Sequence, residues 1–136
     1  MIRLAQRLLL VFVLSSLAAC GGDARLGTIA LAARVDGQGR PAPPATVFAR
    51  GDVVFASVEL EDTYKGLQVK ASWKHGSDVV RSEEQSVPRD AGTMDPVVLV
   101  FRLETKPDWA PGDYRFDVFV PDQGVTSREF RLESNR

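Results

Sequence analysis

Between residues 67 and 74 the chain reads Leu-Gln-Val-Lys-Ala-Ser-Trp-Lys, with Leu67, Val69, Ala71 and Trp73 alternating with Gln68, Lys70, Ser72 and Lys74. Successive side chains of a strand point to opposite faces, so a period of two predicts a half-buried β-strand. The same alternation puts Val97, Leu99, Phe101 and Leu103 on one face. It also aligns Tyr114, Phe116, Val118 and Val120, with Arg115, Asp117 and Phe119 opposite. Further strands are predicted at 28–35, 53–61, 79–87 and 125–132, with a short edge piece near Val47. No segment carries the i, i+3, i+4 apolar spacing of an amphipathic helix.

Turn-forming residues separate these runs: Asp36-Gly37, Gly51-Asp52, Lys65-Gly66, Gly76-Ser77-Asp78, Pro111-Gly112-Asp113 and Pro121-Asp122-Gln123-Gly124. Glycine accepts positive φ, proline pre-sets a negative one, and Asn or Asp side chains bond their own backbone, so such clusters reverse the chain. Seven to eight short strands at this spacing predict an all-β fold, an antiparallel sandwich of two sheets.

Particular residues resemble the immunoglobulin-like and fibronectin type III superfold. Trp73 follows Val58 by fifteen residues on an inward face, as the core tryptophan of the third strand does there. Gly112-Asp113-Tyr114-Arg115-Phe116 is similar to the Gly-x-Tyr-x-Cys start of the sixth strand, with Phe116 in place of the cysteine. The resemblance implies that Tyr114 is the corner tyrosine, its ring in the core and its hydroxyl bonded back to main chain. It implies nothing about activity, because this fold hosts many.

Composition adds an address. Of 136 residues, 44% are hydrophobic and 26% charged, which fits one globular domain, and there is one cysteine, Cys20. Residues 1–7 carry Arg3 and Arg7 without an acid, 8–14 are all apolar, and 15–19 are mostly small. These are the three parts of a secretory signal peptide, whose apolar run falls short of the ~20 residues needed to span a bilayer. The segment ends Leu17-Ala18-Ala19-Cys20, which resembles the lipobox of bacterial lipoproteins. That resemblance implies cleavage between Ala19 and Cys20, with a diacylglycerol and an N-acyl chain on Cys20. Gly21, a residue other than Asp after the cysteine, implies sorting to the outer membrane, facing the periplasm. The expected organisation is a signal peptide over 1–19, a lipidated tether over 20–27 and a sandwich over 28–136. The flexible stretch 21–27 reaches at most about 25 Å, so any partner lies close to the membrane.

Loss of Arg3 and Arg7 leaves 15 basic against 18 acidic residues, a net charge of −3. Nucleic-acid binding rests on clustered Lys and Arg, so no nucleic-acid partner is expected, and no electrostatic docking on anionic lipid.

Residues able to carry chemistry are few. His75, the sole histidine, falls in the tight turn Lys74-His75-Gly76-Ser77-Asp78, where a Ser-His-Asp triad has no room to converge, and is expected to be solvated. Zinc or copper would need several His or Cys ligands, so no metal and no cofactor beyond the covalent lipid is expected. Asp90-Ala91-Gly92-Thr93-Met94-Asp95 lacks the ligand order of a calcium loop and reads as a polar loop. Glu83 and Glu84 fall on opposite faces of one strand, so they do not form an acid/base pair. Gly37 and Gly39 lead into the Pro-rich stretch 40–45, not into a phosphate-binding helix.

Surface candidates remain. If Val54 and Val58 face inward, Val53 and Phe55 face outward, and Val98 and Val100 do so on a neighbouring strand. Together they form an apolar patch unless the Pro-rich stretch covers it. The opposite sheet shows Lys70, Lys74, Arg115, Asp117 and Glu129. Trp109, in a Pro-rich loop, either recognises a ligand or plugs the sandwich beside Tyr114, and the plug is favoured because tryptophan is mostly buried. Tyr64 is the expected exposed aromatic. Two function classes follow. The favoured one is a membrane-anchored, non-enzymatic binding or structural module with an envelope protein as partner; the other is a small hydrolase or metal-dependent enzyme, which a deep pocket with convergent titratable groups would reveal.

Overall fold

The computed structural model describes residues 24–88 and 96–134. Its elements are β1 (Arg25–Ala32), β2 (Val47–Ala49), β3 (Val53–Glu61), β4 (Gln68–His75), β5 (Asp78–Ser86), β6 (Val97–Glu104), β7 (Gly112–Val120) and β8 (Gly124–Glu133). They form a three-stranded sheet, β1-β3-β6, and a five-stranded sheet, β2-β8-β7-β4-β5. All pairings are antiparallel except β2 with β8, which is parallel.

The alternating pattern explains the layers. Val54, Ala56, Val58 and Leu60 of β3 meet Val69, Ala71 and Trp73 of β4 and Phe116, Val118 and Val120 of β7 in one apolar core. At its centre Trp73 is wholly buried, with its ring centroid 4.6 Å from Phe116, and Phe116 lies 5.8 Å from Phe101 of the other sheet. Phe130 meets Trp73 edge-on at 5.9 Å, an arrangement that aligns the positive ring edge with the negative ring face.

One strand starts earlier than its pattern predicts. β1 begins at Arg25, inside the stretch read as tether, because Arg25 and Leu26 pair with Glu61 and Leu60 before the register slips between Leu26 and Ile29. Gly27 sits in that slip, where a Cβ would come 3.3 Å from the carbonyl oxygen of Glu59. The bulge breaks the alternation that would have exposed the strand in the sequence. β1 also ends at Ala32, three residues before the expected limit, where the chain turns into the loop before β2.

Strand order and direction assign five of the connections to one of two ends. Arg25, the β3–β4 loop and the β7–β8 turn share one end, since Arg25 pairs with Glu61, and Lys70 of β4 pairs with Phe119 of β7. The β2–β3 turn, the β4–β5 hairpin and the β6–β7 loop share the other, since Val53 pairs with Glu104 and Lys74 with Arg115.

The indole Nε1 of Trp73 is buried without a hydrogen-bond partner. Its ring therefore stabilises by packing alone. Trp73→Ala should cost about 3–5 kcal/mol in urea unfolding. Trp73→Phe should cost markedly less, because it removes an unsatisfied donor along with part of the ring.

Candidate functional site

The outer face of the three-stranded sheet carries Val53, Phe55, Val98 and Val100, all half-buried. Over Val98 and Val100 lies the loop of residues 33–46. Asp36 holds its first turn by accepting from the Gln38 and Arg40 amides at 2.8 and 2.9 Å, and these bonds lower the Asp36 pKa. The turn brings Gly39 onto the sheet. There its carbonyl accepts from the Ser57 hydroxyl, and a Cβ on it would stand 3.0 Å from Val100 and 3.2 Å from Val98. Arg102 extends its guanidinium over Phe55 at 6.0 Å. Between the open patch and its cover, the structure stands part-way: the loop sits on Val98 and Val100 through Gly39, and Val53 and Phe55 stay half-buried.

The end formed by the β4–β5 hairpin and the β6–β7 loop gathers the aromatics. Tyr114 is the corner tyrosine that its surroundings predict: the buried hydroxyl donates to the Ala110 carbonyl at 2.6 Å, and burial raises its pKa. Trp109 is partly buried and stacks on Tyr114 with centroids 6.2 Å apart and planes 12° apart. It serves as the plug. His75 departs from expectation. It is half-buried, its ring stacked 4.3 Å from that of Tyr114, because the β4–β7 register that pairs Trp73 with Phe116 and Lys74 with Arg115 brings the next residue of β4 across from Tyr114. Thr105 ties the neighbouring loops together: its hydroxyl donates to the Asp52 carbonyl at 2.6 Å and accepts from the Gly51 amide at 2.9 Å. Arg50 donates to the Trp109 carbonyl at 3.1 Å.

The opposite end carries Tyr64, 49% exposed in the β3–β4 loop, and the cross-strand pair Phe119 and Val125, 38% and 61% exposed. Tyr64 matches its expected exposure. Phe119 was visible as an aromatic at an outward position of its strand, but its pairing with Val125 depends on the register of the β7–β8 turn.

On the outer face of the five-stranded sheet, Asp117 is only 8% exposed although its pattern position is outward. Three neighbours cover it. Ser127 donates to Oδ1 at 2.6 Å, Lys74 Nζ lies 3.1 Å from Oδ2, and Arg115 Nε lies 2.8 Å from Oδ1. Burial would raise the Asp117 pKa, but the Ser127 and Lys74 hydrogen bonds and the Arg115 charge outweigh it and hold the carboxyl below its usual value.

Cys20, Ala19 and the 90–95 loop lie outside the described residues. Among the described residues no three His, Cys, Asp or Glu side chains cluster as a metal site requires. An open cleft of about 610 Å³ is lined by Ala33, Ala45, Phe48, Arg50, Asp52 and Glu133.

No protein-family model matches the chain, and no curated protein does. Solved structures do. A crystal structure of an immunoglobulin-like protein from Pseudomonas aeruginosa aligns with a TM-score of 0.58 at 13% identity, covering 84% of this chain and 99% of that one. The fold is immunoglobulin-like. A β-glucosidase from Erythrobacter marinus aligns at a TM-score of 0.53 and 14% identity over 82% of this chain, but over only 15% of its own length. At such identities the likeness is one of fold, and no glucosidase activity passes to this chain.

Two substitutions test these assignments. A carboxylate with a lowered folded pKa stabilises above its unfolded pKa and loses that contribution as pH falls through the folded value. Asp117→Asn should therefore cost about 1–2 kcal/mol near neutrality, and the gap to wild type should close below about pH 4 in pH-dependent urea unfolding. Gly39→Ala meets both the φ of +78° and the Val100 contact. It should cost about 1–2 kcal/mol and increase dye binding at the uncovered Val98 and Val100.

Proposed function

We propose that this chain is a lipid-anchored, non-enzymatic binding or structural module of the bacterial cell envelope, held at the outer membrane and facing the periplasm. The reading is carried by the start of β1 at Arg25, five residues beyond Cys20. Five residues reach at most about 18 Å, shorter than the sequence pattern alone allows. A sandwich that begins pairing so soon after a leader ending in Leu-Ala-Ala-Cys is suited to standing on the membrane surface. Each buried methylene of the acyl chains contributes about 0.8 kcal/mol, so two or three chains retain the domain where one would not.

The surfaces free for a partner are the two loop ends and the charged outer face of the five-stranded sheet. The loops at the Trp109 end are braced by Thr105, Arg50 and the Tyr114 corner, so a partner bound there would meet a pre-ordered surface and incur little ordering entropy. An envelope protein close to the membrane is the expected partner.

Intact mass and fractionation test the anchor. The wild-type protein should begin at Cys20, carry diacylglycerol and an N-acyl chain, and sediment with membranes. Cys20→Ala should carry no lipid and shift the mature domain out of the acylated membrane pool. A wild-type chain retaining residues 1–19, or an unmodified Cys20, would overturn the reading.

A further inference from the structure

Resting on the lipid-anchored reading, we infer that the domain stands end-on, with the β3–β4 loop and the β7–β8 turn against the bilayer and Tyr64, Phe119 and Val125 in its headgroup layer. The point where the chain leaves the sandwich sets this orientation. Arg25 pairs with Glu61 and donates to Asp62 at 3.0 Å, so the strand nearest Cys20 emerges beside the β3–β4 loop. A short tether cannot carry the acyl chains around to the other end, because a nine-residue strand such as β7 is about 30 Å long.

The exposed apolar residues divide in the same sense. Among the described residues the exposed aromatics, Tyr64 at 49% and Phe119 at 38%, lie at the tether end, and Phe119 is paired directly with Val125. The remaining exposed apolar residues, Val47, Val79 and Val80, lie on β2 or β5, the two opposite edges of the five-stranded sheet, and so form no single patch. Tyrosine is favoured where an apolar ring meets a wet headgroup layer, and Phe119 and Val125 gain by leaving water. Among the described residues at this end, Arg25, Lys65 and Lys70 stand against Glu61, Asp62, Glu84 and Asp122, three basic and four acidic side chains with no basic excess. The surface therefore fits a zwitterionic lipid face and needs no anionic lipid. The braced end with Trp109 and His75 then points away from the membrane, about 30 Å higher, toward the periplasmic space.

Because acylation occupies Cys20, a second cysteine can be labelled alone. Acylated full-length protein carrying Gln123→Cys in the β7–β8 turn, or Ser77→Cys in the β4–β5 hairpin, would be labelled with a fluorophore. Each would be reconstituted in phosphatidylcholine vesicles containing a headgroup-attached quencher. Quenching at position 123 should exceed that at position 77 at least twofold, and should persist in high salt. Adding Tyr64→Ser, Phe119→Ser and Val125→Ser to the Gln123→Cys chain should reduce the difference while the protein stays vesicle-bound. Equal quenching at the two positions, or stronger quenching at 77, would overturn the orientation. The mass of the same samples separates the two readings: a lipidated protein without the asymmetry sinks only the orientation, and an unlipidated one sinks the anchor and the orientation together.

Discussion

No disulfide joins the two sheets, and their cohesion is chiefly apolar contact centred on Phe116. The chain has a single cysteine, at position 20, so the inter-sheet disulfide of many related domains has no counterpart. Phe116 occupies the place where such domains put a thiol, and it touches Trp73 within its own sheet and Phe101 across the gap. A disulfide acts chiefly by restricting the unfolded chain, whereas a ring acts by removing apolar surface from water. Cohesion then depends on the fit of neighbouring side chains over the whole interface, and the core has no large wholly buried side chain that is charged. The polar help lies at the margin, where Gln85 of β5 donates to the Val100 carbonyl of β6 at 2.7 Å and closes the open side between the sheets.

Most of the architecture is legible in the chain because a strand with one wet face must alternate. β3 matches its pattern at both limits, and β4 to β8 do so to within two residues. β1 does not, because a bulge at Gly27 interrupts the alternation, and a pattern of period two cannot register a slipped residue. The corner bond of Tyr114 was legible through a resemblance in five residues, not through periodicity.

What escaped the sequence depends on neighbours that are distant along the chain. Asp117 occupies an outward position and is nonetheless covered, because Lys74 and Ser127 arrive from β4 and β8 in a register that turn geometry sets. The half-cover of Val98 and Val100 requires the 33–46 loop to fold back across sixty residues of sequence onto β6, a contact that the sequence offered only as one of two alternatives. His75 stacks on Tyr114 for the same reason: the hairpin was readable, but the ring it folds against lies on another strand. Burial by one's own strand is a local property, and burial by a loop or a cross-strand ion pair is not.

The same reasoning narrows where recognition can occur. A free strand edge is the simplest docking site on a sandwich, since its unpaired amides and carbonyls accept another strand. Here the register sets Arg81 and Glu83 of β5 opposite Trp73 and Ala71, and Arg128 of β8 opposite Phe116, on the core side of the sheet but at its margin, where Arg81 and Arg128 stay exposed. An incoming strand would have to bury those charges or displace them, and burying a charge without a partner is costly. The short β2 already pairs with the last residues of β8, and the 33–46 loop occupies part of the smaller sheet's outer face. At the two edges of the five-stranded sheet, an added strand would therefore have to compete with these charges and with β2. Because Arg25 emerges at the end with the β3–β4 loop and the β7–β8 turn, the proposed anchor would leave the opposite end to a partner.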